Sequence, residues 1–403
     1  MSAAIGPLQL LTTPSYLRLW LAGGLGNAMR WLELLVAGIF TFQATQSALL
    51  VAVVTVARSL PLLLLGAVTG AIGEALNRKA MLAAALFAMA GVSAALFLLA
   101  ATGSIRIWHI ALGGAVAGTL WTTEMSVRRR MVGEVVPLGH VGRAIALDSV
   151  TGSLTRLIGP LIGGSVFEAF GLDGCYLLAT ALYLVAGAIV AGLAFEQAPR
   201  RLDLARIPGE IAEGLALARQ RPVILGVILV TIVTNVFGFS YSAVVAPLGL
   251  DVYGVSPFLV GVLAAAEPLG AVTSGLALAA GWMRMDRPFM MIGGSFLFLA
   301  ALALASGVAS YWPAFLLLLV GGLGTAAFSS MQSTLVLTDA PVTARSRVMG
   351  IVSMCIGTGP IGVLAIGALA DALGPARAIL AMAAAGLVAL ALAARRWPRP
   401  GVA

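Results

Sequence analysis

Charge is scarce in this chain: Asp, Glu, Lys and Arg make up 10% of its 403 residues. Soluble domains usually carry about 25%. With 60% hydrophobic residues and a mean hydropathy of +1.04, the chain cannot cover its own apolar surface in water. Lipid must be the solvent for much of it. Lysine is scarcer still. The single lysine, Lys79, lies between Arg78 and Ala80, so a G-x-x-x-x-G-K-S/T phosphate loop is absent and ATP hydrolysis of that type is excluded. Two histidines, His109 and His140, and two cysteines, Cys175 and Cys355, argue against a zinc site. The cysteines are expected near opposite membrane faces, beyond the reach of a disulfide. No G-x-S-x-G elbow is present. No metal, cofactor or catalytic cluster is expected. No basic residue precedes Arg18, so the first span is expected to stay as an uncleaved anchor.

What is abundant is long apolar sequence. A helix needs about 20 apolar residues to cross a bilayer. The pattern predicts spans near 17–42, 48–72, 80–102, 104–126, 143–168 and 172–195. A second set lies near 223–247, 255–280, 287–308, 311–337, 346–372 and 375–395. The fold class expected is an all-α membrane protein of twelve transmembrane helices in two six-helix, pseudo-symmetric halves. Runs of this length exclude a β-barrel, whose strands are about 10 alternating residues. Glycine, with 48 residues, suits helices that pack closely in lipid.

The net charge of +8 does not point to nucleic acid, because the basic residues are sorted by side. With the N-terminus inside, 19 of 24 fall on one face, among them Arg78, Lys79, Arg128 to Arg130 and Arg345. Only Arg106 and Arg377 fall on the other, and Arg30, Arg58 and Arg156 lie within spans. This positive-inside pattern predicts a multi-pass protein of a bacterial-type inner membrane with both termini cytoplasmic.

The halves read as one repeated unit. Gly66-Ala67-Val68-Thr69-Gly70 returns as Gly270-Ala271-Val272-Thr273 at an offset of 270 − 66 = 204. Gly159-Pro160 returns as Gly359-Pro360 at an offset of 360 − 160 = 200. The expected domains are residues 1–195, a linker at 196–221 and residues 222–403. Ile211, Leu215 and Ala218 share a helical face in the linker, which makes it either a short amphipathic helix on the membrane surface or a solvated connector. Six spans duplicated in parallel is the logic of alternating-access carriers, with substrate bound between the halves near the midplane.

These features resemble the major facilitator superfamily. The branch with the enterobactin exporter and the twelve-span macrolide and multidrug exporters is the most similar in appearance. Gly70 through Lys79 is similar to the signature loop after span two, in which an acidic helix end faces basic residues. Glu74, Arg78 and Lys79 match it, and Ala75 and Asn77 depart from it. The corresponding stretch of the second half, Gly281 to Pro288, matches poorly. The segment Arg156-Leu157-Ile158-Gly159-Pro160-Leu161-Ile162-Gly163-Gly164 resembles the exporters' glycine-proline motif. Arg345 to Gly350, followed by Gly359-Pro360 and Gly367 to Asp371, also resembles this branch. The resemblance implies export and does not select a substrate. With the intramembrane charges, the expected function is a proton-coupled exporter of a small organic molecule, a siderophore or an amphiphilic drug-like compound, acting as a monomer; the alternatives are a facilitator or importer of an organic anion or lipid, and a membrane sensor that kept the fold.

Charges inside spans are costly, about 2.5–3.5 kcal/mol on insertion scales, so each needs a partner or a task. Arg30 and Glu33 share a face of span one. Their two readings are substrate contact and a self-satisfied ion pair. Arg58 needs a partner from another helix, and Glu33 and Glu267 are both available; its two readings are attraction of an anionic substrate group, with Arg30, and a buried structural ion pair. Glu267, beside Pro268 in span eight, has no basic residue in its own span. Glu267 or Glu33 is the candidate proton carrier; for Glu267 the alternative is a protonated group bonded to a carbonyl freed by Pro268. Arg156 reads chiefly as helix packing. Asp148 and Glu124 are expected to pair with Arg143 and the Arg128 to Arg130 cluster. In span seven, Asn235 should share a face with Phe239, and Phe237 with Tyr241. Trp121 and Gln332 are lesser cavity candidates. The partners expected are a small-molecule substrate, protons and the lipid bilayer.

Overall fold

The computed structural model describes residues 7–75, 77–137, 140–195, 207–279, 287–341, 344–395 and 397. Among them there are helices and turns and no strand. The helices are α1 (Pro14–Thr45), α2 (Ala48–Ala75), α3 (Arg78–Ala101), α4 (Ile107–Val135), α5 (Val141–Ala191) and α6 (Ile207–Gln220). Then come α7 (Pro222–Val233), α8 (Pro257–Ala279), α9 (Arg287–Ser306), α10 (Tyr311–Asp339), α11 (Arg345–Ile356), α12 (Gly359–Leu373) and α13 (Pro375–Arg395).

Nine segments among the described residues are long and apolar enough to span a membrane by hydropathy alone. The two other long helices, α1 and α4, carry the intramembrane charges Arg30, Glu33 and Glu124. One of the nine, α5, is 51 residues long and crosses twice. Its direction breaks at Gly171, whose φ of +70° and ψ of −168° suit glycine. Counting both arms of α5 with α1 and α4 gives twelve crossings. Large apolar side chains such as Leu64, Phe170, Ile361 and Val388 are more than 60% exposed, which fits a surface solvated by lipid.

Three expected spans are corrected. Span four runs on to Val135 rather than 126, because Arg128 finds carboxylates within the helix bundle and needs no loop. Span eleven is two helices, α11 and α12, separated at Gly357 and Thr358. Pro360 sits in the first turn of α12, where a missing N–H costs nothing. Span seven is regular only through Val233. A π-helical turn follows at Thr234–Gly238, a 3-10 stretch at Phe239–Val244, a short α turn at Val245–Pro247 and a second π turn at Leu248–Val252. The linker does form a helix, α6. Ala218 is buried in the core there, and Glu213 pairs with Arg347 of α11 at 2.6 Å. The side chains of Ile211 and Leu215 lie outside those described. Both cysteines are unpaired thiols.

The chain forms two compact units: Met1–Phe40 with Ala57–Leu204, and Thr41–Val56 with Ala205–Ala403. The first holds buried Tyr16, Leu19, Met29, Leu32, Leu86 and Tyr183. The second centres on Val227, Met291, Leu299, Phe328, Val352 and Leu390. It also contains the tips of α1 and α2. There Asp371 of α12 caps the first turn of α2, accepting from Ala48 N at 2.6 Å, Leu49 N at 3.1 Å and Ser47 Oγ at 2.7 Å. Carboxylates favour such positive helix ends. Gly367 lets α12 approach, since a Cβ there would lie 2.4 Å from that of Ala52.

Candidate functional site

In the first unit the ionisable residues of α1 and α2 are brought together differently from the simple spacing argument. Glu33 does not pair with Arg30. Its carboxylate accepts from Arg58 Nη2 at 2.7 Å, Ser93 Oγ at 2.6 Å and Tyr183 OH at 3.2 Å. Glu33 is 3% exposed and the Arg58 side chain 10%. Of the two carboxylates available to Arg58, Glu33 is the partner. Ser93 and Tyr183 were not singled out from sequence, and no local pattern marks them.

Arg30 points elsewhere. Its guanidinium carbon lies 3.8 Å from the ring centre of Trp121 on α4 and 4.8 Å from that of Trp31. Arg156 of α5 approaches the same Trp31 ring at 5.4 Å. All four residues are partly exposed. Trp121, a lesser candidate in the sequence, is thus a direct contact of Arg30.

The glycine-proline segment packs on α1. A Cβ at Gly159 would meet Trp31 Cβ at 2.6 Å and Ala28 O at 2.8 Å, and one at Gly163 would crowd Leu32 at 3.3 Å. Pro160 and Gly164 are buried beside them. The second unit repeats this relation: a Cβ at Gly362 of α12 would lie 1.9 Å from Val236 O, in the π turn of span seven. Gly359 itself has open space around it.

In the second unit Glu267 is 1% exposed on α8. Thr325 Oγ1 of α10 lies 2.6 Å from its Oε1 and 2.9 Å from Gly322 O. The backbones meet at this point. A Cβ at Gly322 would lie 2.0 Å from Glu267 O. The first unit has the same device, since a Cβ at Gly118 of α4 would lie 2.0 Å from Arg58 O. The two glycines are 322 − 118 = 204 apart, the offset of the repeat. So Arg58 and Glu267 each occupy the close crossing of the second and fourth spans of their halves.

Asn235, in the π turn, donates to Thr231 O at 2.9 Å, and Gln332 Nε2 donates to Thr231 Oγ1 at 2.8 Å. The expected face sharing in span seven is corrected. Phe239 and Tyr241 both pack on Phe298, at 5.1 and 6.0 Å between ring centres. The π and 3-10 turns remove the 100° per residue on which that arithmetic rests.

At the signature loop, Arg78 is buried and pairs with Glu134 of α4. Asn77, atypical of the signature, caps α3 by accepting from Ala80 N at 3.0 Å. Lys79 is partly exposed. The side chain of Glu74 lies outside those described, as does most of Gly281 to Pro288. The partner of Asp148 is Arg128 rather than Arg143, and Arg128 also bonds Glu124 at 2.6 Å.

A family model described as transmembrane secretion effector matches residues 5–402. The chain belongs to this family of the major facilitator superfamily. In sequence it is similar to the uncharacterised MFS-type transporter YfiS of Bacillus subtilis, 22% identical over 203 residues, which is 48% of this chain. The chain spans about half the length of that relative, 47% of it. In structure it is similar to a bacterial homologue of the human lysosomal transporter Spinster, with a TM-score of 0.74 and 16% identity over 95% of each chain. It is similar also to a peptide transporter of the POT family, with a TM-score of 0.74 and 12% identity over 98% of this chain and 99% of that one. For the nucleoside transporter NupG the TM-score is 0.70, with 15% identity over 95% of this chain and 100% of that one. At these identities the likeness is one of fold: the helical membrane fold of the superfamily.

Proposed function

We propose that the chain is a secondary active transporter of the exporter branch, moving a small organic molecule out of the cell by alternating access in exchange for protons. It works as a monomer in a bacterial-type inner membrane, with both termini cytoplasmic. The six-helix halves 1–195 and 222–403 are its moving parts, and 196–221 is the linker between them. The charge bias supports the cytoplasmic termini, and the glycine-proline motif supports the exporter branch.

One observation carries the coupling: the contact between Glu267 and Thr325. A hydroxyl has one proton to give and two lone pairs with which to accept. When Glu267 is ionised, Thr325 donates to it. When Glu267 is protonated, it can donate to Thr325, whose own proton then serves Gly322 O at 2.9 Å. The Thr325 contact is thus compatible with either protonation state of Glu267. Glu33, enclosed by three donors, is instead committed to the ion pair with Arg58.

Proteoliposomes with an imposed pH gradient test this. Gradient-driven flux of a drug-like substrate should be abolished in Glu267→Gln, while exchange of substrate across the membrane without a gradient persists. Gradient dependence equal to wild type in that variant removes Glu267 from coupling. An importer or facilitator of an organic anion or lipid would give flux in the opposite direction or without the gradient. A sensor that retained the fold would bind ligand and move nothing.

A further inference from the structure

We propose that Arg30, with Trp121 and Trp31, forms a recognition site for an organic anion with a flat apolar body, such as an aromatic carboxylate. In transport the site is where substrate charge is held, and that part rests on the exporter reading. Binding of the anion does not.

The argument begins with an unspent cation. Arg30 lies within α1, where charge is expensive. The carboxylate one turn away, Glu33, is taken by Arg58, and Glu124 is taken by Arg128. Arg30 has no ion-pair partner among the described residues. Its electrostatic neighbours include the cations Arg58, paired with Glu33, and Arg156, and the carboxylate Glu124, paired with Arg128, so the charge left to meet an added anion is that of Arg30 itself.

Geometry then selects the kind of anion. The guanidinium carbon lies 3.8 Å from the Trp121 ring centre, a cation–π contact that forms no N–H···O bond. The planar fork of N–H donors, which binds carboxylate, sulfonate or phosphate in two-point fashion, is therefore not consumed by the indole, which offers no acceptor oxygen. The indoles hold the cation by the ring quadrupole. They also offer apolar edges to whatever the anion is attached to. Arg156, 5.4 Å from the Trp31 ring centre, adds positive charge near the same indole. A small, strongly hydrated inorganic anion gains nothing from two indoles, whereas an aromatic anion gains on both counts.

The site is tested by equilibrium dialysis of radiolabelled naphthoate against the purified full chain in neutral phosphatidylcholine nanodiscs. Naphthylmethylammonium, of the same shape and opposite charge, is the control. The wild type should bind naphthoate and not the ammonium. Arg30→Gln should weaken naphthoate about tenfold or more, the loss expected for a charge-assisted pair. Arg30→Lys should keep part of the affinity, and Trp121→Leu should weaken it severalfold while the protein stays monodisperse. Equal binding of naphthoate by wild type and Arg30→Gln overturns the proposal. So does absence of naphthoate binding by the wild type. Displacement of naphthoate by added phosphatidylglycerol also overturns it, and assigns the site to a lipid headgroup. If binding behaves as expected and no proton-driven flux is found, the exporter reading fails and the anion site stands.

Discussion

Arg58 and Glu33 meet at 2.7 Å with little exposure on either side chain, so each is the other's means of remaining charged in a membrane protein. Removing one partner strands the other, typically at about 3–5 kcal/mol. Arg58→Ala and Glu33→Ala should each destabilise the protein by that amount, measured by unfolding of the purified chain. The double variant should lose clearly less than the sum of the two. Additive losses would mean that the pair is not coupled. At this scale the sequence was legible where chemistry demanded something: a lone arginine in a span needs a carboxylate, and Glu33 was one of two on offer. It was not legible where only geometry decides. Ser93 and Tyr183 lie 60 and 150 residues from Glu33, and hydroxyl side chains are common in any helix. The i, i+3 spacing of Arg30 and Glu33 put them on one face but did not set their rotamers. Trp121 drew Arg30 away.

Helices here are held by close backbone approach rather than by a hydrophobic drive, because lipid is as apolar as leucine. The crossings at Gly118 and Gly322 leave no room for a methyl group against the facing carbonyl. Alanine at either should cost about 1–3 kcal/mol through overpacking, and should lower the apparent melting temperature of the purified protein. Gly91→Ala and Gly293→Ala are the controls. Both positions have open space, so these should be neutral or slightly stabilising. Equal effects at all four positions would refute the close-crossing account. Element positions were legible from apolar runs, and the break near residue 170 was anticipated. The exceptions share a cause. Span four was cut short because Arg128 to Arg130 read as a loop, whereas Glu124 and Asp148 neutralise Arg128 inside the bundle. The π turns of span seven have no compositional mark. Contacts from far along the chain, of Gly362 and Gly386 with Val236 and Phe237, accompany the first of them.

At the scale of the whole molecule, twelve crossings and a repeat were readable because duplication leaves fixed offsets. Gly118 and Gly322 obey the offset of 204 although nothing in their local sequence draws attention to them. The allocation of residues to compact units was not readable, since it depends on which tips touch what. Residues 41–56 belong with the second unit, fastened by Asp371 at the first turn of α2. Asp371→Ala removes that cap, a change usually worth about 1 kcal/mol. Amide hydrogen exchange at Ala48 and Leu49 should accelerate about fivefold, while amides in α9 and α10 stay unchanged. No acceleration at α2 would show that the cap is not what holds it. The fastening has a further consequence for how such a chain is made. Its two halves read as copies of one ancestral piece, yet the second compact unit is finished only by sixteen residues lent from the first copy. Neither half, synthesised alone, is therefore a complete folding product, and a ribosome that stopped at the linker would release a piece whose hairpin tip still lacks its seat.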